Sequence, residues 1–330
     1  MPVGNVPLVG YALKLLAYHG ITDVIVNLHH LPKPIRDYLG SGKRYGVNIT
    51  YSHEPELLGT GGGLKKMHEV LSEDTFVVVN SDTISDVDLT GALDAHRRSG
   101  ALATMVLRED PQQDEFGQIE VDSQHRIWRI LGHGTVPSGI SLHPYMFAGV
   151  HILDPRFLEY IPPDVNTCIN RYAYLKALNN DETLNSFLAT GYWADAGTPE
   201  RYYQANVDAL DRRMILPHAD PLDGFAVTPK KEVPDVVRMG EGVDLGTSAR
   251  IVPPVVVGDH VRVGEQASLG PYSVIGARCS IGKGAAVSNA VLLSGSKVDA
   301  GARVHRAIVG KRAVVQLDAP PDASADQPKA

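Results

Sequence analysis

Two cysteines in 330 residues, Cys168 and Cys279, are too few and too far apart for a disulfide framework or a metal clip, which fits a reducing compartment such as the cytoplasm. No apolar run approaches the length of a bilayer span, and no basic stretch leads into an apolar core at the N-terminus, so neither a membrane anchor nor an export signal is visible. Cations are also in short supply. Lys and Arg number 31 against 38 Asp and Glu, a net charge of −7, which argues against a nucleic-acid surface because phosphate backbones are held by clustered basic residues. A small anionic substrate in a locally positive site is compatible with that balance. What is present is ordinary for a soluble globular protein, 43% hydrophobic and 21% charged, with length enough for two domains that each bury a core.

From Pro7 to about Ile215, helical and extended segments alternate, the pattern of a mostly parallel sheet flanked by helices. Pro7 opens a helix whose apolar residues Leu8, Tyr11, Ala12, Leu15 and Leu16 recur at helical spacing, and Gly20 stops it. Strands are expected at Val24 to Leu28, Val47 to Ser52, Phe76 to Asn80 and Leu102 to Leu107. Helices are expected at Gly62 to Leu71 and Asp88 to Arg98, the latter capped by Asp86 or Asp88, and a last helix from Pro199 to about Ile215. A crossover helix joins two parallel strands, so the helix at Pro7 implies a strand upstream of it.

A linker rich in Pro and charge follows, and then the chain repeats every six residues: Leu245, Ile251, Val257, Val263, Leu269, Ile275, Ile281, Val287 and Leu293. Glycine usually follows the aliphatic residue, as at Gly246, Gly258, Gly264, Gly270, Gly276 and Gly282. After a one-residue slip the pattern resumes at Val298 and Val304. This hexapeptide period resembles that of parallel β-helices, in which three units make one triangular coil. The resemblance implies left-handed winding, aliphatic residues inside, and glycine at corners that need positive φ.

Three blocks carry chemistry: Leu57-Leu58-Gly59-Thr60-Gly61-Gly62-Gly63, Val79-Asn80-Ser81-Asp82, and Gly191-Tyr192-Trp193-Ala194-Asp195-Ala196-Gly197-Thr198-Pro199. Taken singly, an aspartate after a strand is as often a turn former, and a glycine-rich turn is weak evidence. Together the blocks resemble sugar-1-phosphate nucleotidyltransferases, most of all the mannose-1-phosphate guanylyltransferase and glucose-1-phosphate thymidylyltransferase group. The resemblance implies an α/β fold, with a Rossmann-like, mostly parallel sheet in a nucleotidyltransferase domain (1–215), a linker (216–243), a left-handed β-helix (244–317) and a disordered tail (318–330). It implies that Asp82 and Asp195 are catalytic and hold Mg²⁺ between a nucleoside triphosphate and a sugar 1-phosphate. Gly59, Thr60, Gly61 and Gly62 would contact the base, and Gly149, in Phe147-Ala148-Gly149-Val150, would meet the sugar together with Glu120. Asn27 is also family-like, whereas the neighbouring His29 and His30 lack a partner acid at metal-ligand spacing and read as structural.

Two departures qualify that assignment. Members of the family open with a strand and a G-x-G-T-R-x-R-P loop followed by P-K-P, whereas Met1 to Val9 resembles the stretch just past P-K-P. Codons upstream are therefore expected to spell the glycine-rich loop, and the 330-residue form is expected to be weak or inactive. The family's E-K-P segment is also absent where expected, leaving Arg129 as the replacement cation. A second reading is a non-catalytic subunit that binds a nucleotide sugar and regulates an active homologue. A third is a hexapeptide acyltransferase with His260 or His305 as base, disfavoured by the unbroken repeat. The β-helix is expected to mediate homo-oligomerisation, with no nucleic-acid or membrane partner.

Overall fold

The computed structural model describes residues 1–4, 6–110, 118–163, 165–223, 226–227 and 237–318. Much of the linker and nearly all of the C-terminal tail expected from the sequence lie outside the described residues. The chain forms two compact units, Val9–Trp193 and a second made of Met1–Leu8 with the chain from Ala194 onward. It opens with β1 (Pro2–Val3) and β2 (Val6–Pro7), an antiparallel pair belonging to the second unit.

In the Val9–Trp193 unit, helix α1 (Leu8–Tyr18) buries the expected stripe of Tyr11, Ala12, Leu15 and Leu16. Gly20, at φ 76, turns the chain out of it. Strand β3 (Asp23–Leu28), crossover helix α2 (Pro32–Leu39) and parallel strand β4 (Asn48–His53) make one right-sized βαβ unit. Helices α3 (Gly59–Lys66) and α4 (His68–Leu71) then lead to β5 (Phe76–Val79). The single helix expected at Gly62 to Leu71 is thus two. It starts earlier, and Met67, whose N–H bonds the Leu64 carbonyl at 3.0 Å, tightens the turn between them.

Strand β6 (Thr83–Ser85) precedes α5 (Leu89–Ser99), where Asp88 is the cap: its Oδ1 accepts the Gly91 N–H at 3.0 Å. Further strands are β7 (Ala103–Arg108), β8 (Gln118–Val121), β9 (Ile127–Ile130), β10 (His143–Leu153) and β11 (Leu184–Leu188). The long β10 runs antiparallel to β5, β7 and β8, while β11 runs parallel to β7. The unit is therefore mixed α/β, with β3/β4 and β7/β11 as parallel pairs. Residues Ala103 to Leu107 are wholly buried, as their largely apolar character requires, and the one polar residue among them, Thr104, has its hydroxyl 2.9 Å from His96 Nδ1. Among the described residues, β3 pairs only with β4 and β5 only with β10. Phe76 to Val79 is accordingly half-buried despite the same apolar character.

In the second unit, helix α6 (Pro199–Leu210) begins with Thr198 as cap, its Oγ1 accepting the Arg201 N–H at 3.2 Å. It ends short of the expected Ile215 because Arg212, at φ 60, leaves the helical region. Asn206 fixes β1 and β2 onto it, accepting the Gly4 N–H at 3.1 Å, and the Tyr202 hydroxyl donates to the Pro2 carbonyl. The other end of this unit is the repeat. Val255 pairs in parallel with Ser273, Arg262 with Ser280 and Ser268 with Ala286, each eighteen residues on, so three hexapeptides close one coil. Val257, Val263, Leu269, Ile275, Ile281 and Val287 fill its interior as expected. Leu245, on the first rung, is 42% exposed instead.

Two details of the repeat differ from the sequence reading. The slip falls before Leu293 rather than after it: Ile275 pairs with Leu292, which takes the interior place, because the corner at Asn289 (φ 50) uses one residue fewer. Nor do most repeat glycines serve positive φ. A Cβ on Gly264 would lie 2.5 Å from Lys283 N, and one on Gly258 would lie 2.6 Å from Ala277 N, so the next coil's backbone excludes a side chain. Positive φ comes two residues later and is borne by His260 (φ 55), Gln266 (φ 57) and Arg278 (φ 59).

Candidate active site

The glycine block forms the entry and first turns of α3. Residues 165–169 clasp it: Thr167 N–H donates to the Leu58 carbonyl at 2.9 Å, Gly61 N–H donates to the Thr167 carbonyl at 2.7 Å, and Ile169 N–H donates to Thr60 Oγ1 at 3.0 Å. Glycine is required because the chains touch. A Cβ on Gly59, whose φ is 69, would stand 2.8 Å from the Thr167 carbonyl oxygen, and one on Gly62 would stand 2.6 Å from that of Val165. The bareness that the sequence reading gave to a nucleotide is thus also consumed by the protein's own backbone. Leu57 and Val165, 56% and 49% exposed, flank the clasp with apolar surface. Exposed aliphatic groups beside backbone amides and carbonyls suit a flat, uncharged heterocycle better than a phosphate.

Behind this segment lies Glu54, only 1% exposed. One of its carboxylate oxygens accepts Asn27 Nδ2 at 3.2 Å and the other accepts the Leu58 N–H at 3.3 Å. His29 Nδ1 lies 2.9 Å from the Glu54 carbonyl oxygen, the structural role expected of that histidine. In the sequence Glu54 reads only as part of the Glu54-Pro55-Glu56 lead-in to the glycine block, which resembles the family's base-contacting loop, with no role of its own, since a lone glutamate in a loop is ordinarily a solvated charge. Its burial has no signal there beyond its place immediately after a β4 that ends beside the glycines.

Asp82 is exposed just past the carboxyl end of β5, where open α/β sheets present ligands. Its turn is fixed from both sides: Asn80 N–H donates to the Gly149 carbonyl at 2.9 Å, and Thr83 Oγ1 donates to the Asn80 carbonyl at 3.0 Å. Gly149, at φ 86, leaves little space for a side chain, since a Cβ would be 3.0 Å from Thr83 Oγ1. The structure therefore joins two of the sequence-predicted residues, Gly149 and Asp82, through Thr83 and Asn80. Glu120 is not brought to them by any hydrogen bond in this network. It faces Arg129 across the β8/β9 pair, 3.6 Å from its guanidinium, so the replacement cation already has a carboxylate partner.

Asp195 stands on the other compact unit. Its Oδ1 accepts the Gly197 N–H at 2.8 Å and its Oδ2 accepts Arg201 Nη1 at 2.9 Å, while the side chain is 13% exposed. The Gly-Thr-Pro turn and the first turn of α6 are what aim these donors. Arg201 escaped the sequence reading because it lies six residues past Asp195 and meets it only when Thr198 starts the helix. Each Asp195 oxygen keeps lone-pair capacity beyond its protein donor. No group of three or more His, Cys, Asp or Glu among the described residues could hold a metal. A magnesium ion carried largely by phosphate oxygens and water needs only one or two carboxylates, so the Asp195 carboxylate, taken by itself, has the donor chemistry for such an ion and not for an all-protein cage. No helix among the described residues is long and apolar enough to cross a membrane.

A family model described as nucleotidyl transferase matches residues 1–212, and one described as GMPPB C-terminal domain matches residues 251–319. A UTP–glucose-1-phosphate uridylyltransferase from Synechocystis is 28% identical, the match covering 98% of this chain and 85% of that protein. A mannose-1-phosphate guanylyltransferase from Mycobacterium tuberculosis is also 28% identical, over 79% of this chain and 74% of its own. Among solved structures, HddC from Yersinia pseudotuberculosis complexed with GMP-PN shares the fold with a TM-score of 0.53 at 20% identity, covering 63% of this chain and 88% of that one.

Proposed function

Because the chain belongs to the nucleotidyl transferase family, we propose that it joins a nucleoside triphosphate to a sugar 1-phosphate, giving a nucleotide sugar and pyrophosphate. In this reaction a phosphate oxygen of the sugar 1-phosphate attacks the α-phosphorus. A new P–O bond forms as the bond to the bridging oxygen breaks, and that oxygen leaves on pyrophosphate. Charge builds on oxygens that are already anionic, so the site must supply a hard cation and fixed donors.

The observation that best supports this reading is the clasped glycine segment with its apolar flanks, Leu57 and Val165. Gly59, Thr60, Gly61 and Gly62 hold the base, Gly149 and Glu120 border the sugar, and Asp82 and Asp195 carry the cation. Those carboxylates would hold magnesium, which when bound would supply the neutralising charge. Arg201 and the Gly197 amide keep the Asp195 carboxylate in one orientation, so that little reorganisation is needed on binding. Self-association is assigned to the second unit, where strand Val314–Gln316 leaves Val314 and Val315 exposed. Size-exclusion chromatography of a Val314→Glu, Val315→Lys double variant checks it, a wild-type-like elution counting against it.

The deciding assay is pyrophosphate release with GTP or UTP, mannose 1-phosphate or glucose 1-phosphate, and Mg²⁺. Activity is expected to disappear with EDTA and to fall by at least about 100-fold in Asp82→Asn and in Asp195→Asn, the scale of removing one strong charge interaction. Tight binding of a nucleotide sugar with no release for any substrate pair, in a protein that carries the G-x-G-T-R-x-R-P loop, would instead favour the regulatory-subunit reading.

A further inference from the structure

We propose that Glu54 is a positioning residue for the nucleotide, holding the Asn27 amide so that its oxygen faces the nucleoside as a hydrogen-bond acceptor, and holding the start of α3 in register with it. This rests on the nucleotide site proposed above. Glu54 is itself fixed at both backbone groups: its N–H donates to the Leu28 carbonyl at 2.8 Å, and its carbonyl oxygen lies 2.9 Å from His29 Nδ1. Its side chain turns inward, 1% exposed, and links two elements by accepting Asn27 Nδ2 from β3 and the Leu58 N–H from the entry to α3. Gly63 makes room for it, since a Cβ there would stand 2.7 Å from Glu54 Oε1.

The chemistry then dictates the amide's direction. A carboxylate only accepts, so the Asn27 atom facing it must be the NH₂, and the amide oxygen is turned away from it. Asn27 is exposed at the carboxyl end of β3, the end of a parallel pair where ligands are held. An acceptor fixed there fits a donor on a nucleoside, a ring N–H, an amino group or a ribose hydroxyl, and repels a phosphate oxygen. Glu54 needs to touch no reacting atom to do this. Its side chain acts through Asn27 and through the backbone of the glycine segment.

Equilibrium dialysis of the 330-residue chain with GTP and with UTP, each with Mg²⁺, tests the inference, using inorganic pyrophosphate as the probe that lacks a nucleoside. In Glu54→Gln one amide oxygen replaces two acceptors, so either Asn27 Nδ2 or the Leu58 N–H loses its partner. Nucleotide binding is expected to weaken about tenfold or more in that variant while pyrophosphate binding stays near wild type, with a modest fall in melting temperature from the unpartnered donor. Asn27→Ala, at an exposed position that does not threaten folding, is expected to show the same selective loss. Glu56→Gln, exposed and two residues away, is expected to behave as wild type. Unchanged nucleotide binding in Asn27→Ala, or equal losses for nucleotide and pyrophosphate, would overturn the inference and leave the nucleotide site standing. Failure of the wild-type chain to bind either nucleotide would remove the site and the inference together.

Discussion

Arg201 and Asp195 are locked together: the guanidinium meets one carboxylate oxygen at 2.9 Å while the Gly197 N–H holds the other at 2.8 Å. An acid oriented in this way is poised for a ligand rather than swinging in solvent. Arg201→Met keeps the stem and removes the fork, so kcat/KM for pyrophosphate release is expected to fall about 10- to 100-fold, as when an outer partner of a metal-binding carboxylate is lost. Stability should change by less than about 1 kcal/mol, because the pair is partly exposed. A steady-state assay beside a thermal melt separates the two; a large melting shift with unchanged kcat/KM would contradict this role.

Gly149→Ala asks whether the Asp82 turn depends on β10. The substitution places a methyl group 3.0 Å from Thr83 Oγ1 at a φ of 86, and is expected to destabilise the fold by about 1–3 kcal/mol. Turnover should fall further than the folded fraction does, because Thr83 and Asn80 shape the turn that carries Asp82. Urea titration gives the first quantity, and active-site-normalised rates give the second.

His151 sits in the core against Phe147, ring centroids 4.4 Å apart, with its Nδ1 2.9 Å from the Tyr174 hydroxyl. Burial pushes its pKa from 6.5 down to about 3, and burial lowers His96 as well. Below pH 6.5 the unfolded chain takes up protons that the folded chain refuses. Stability from this histidine is therefore full above that pH and is lost as pH falls toward about 3, by about 1.4 kcal/mol per unit. Urea midpoints taken between about pH 7 and pH 5 should decline, and His151→Gln should flatten the decline. A slope identical to wild type would show that other groups carry the acid sensitivity.

Glycines of the repeat make a paired test. Gly264→Ala drives a Cβ to 2.5 Å from Lys283 N and is expected to cost about 1–3 kcal/mol. Gln266→Gly, two residues on at φ 57, relieves left-handed strain against the added chain entropy of glycine, and is expected to lie within about 1 kcal/mol of wild type. Guanidinium unfolding of both variants distinguishes inter-coil contact from backbone conformation as the reason for the glycine.

Periodicity made the elements legible. Leu15 and Leu16 and Ala103 to Leu107 carry their burial in their spacing, and the hexapeptide period anticipated the eighteen-residue coil, whereas Val24 to Leu28 is a strand as expected but only Leu28 in it is buried. The same one-dimensional signal misassigned the repeat glycines, because the neighbour that excludes a Cβ at Gly264 is Lys283, a contact between successive coils. It also placed the slip after Leu293, since Leu292 and Leu293 are equally apolar and only the corner at Asn289 decides which points inward. At the candidate site, Asp82 and Gly149 were readable as motif residues. The supports were not: Thr167 reaches the glycine segment from 106 residues downstream of Gly61, and Glu54 and Arg201 gain meaning only from the partners that folding brings to them.

The ladder that ties Arg262 to Ser280 also restricts how this chain can change in length. Each residue answers to the one a full circuit away, so an insertion in a flat face misaligns everything beyond it. Excising 262–279 would instead seat Ser280 in the place of Arg262 and leave the later rungs in step. Viable length variants of the C-terminal unit should therefore gain or lose whole circuits, or single residues at corners such as Asn289, where one has already been dispensed with.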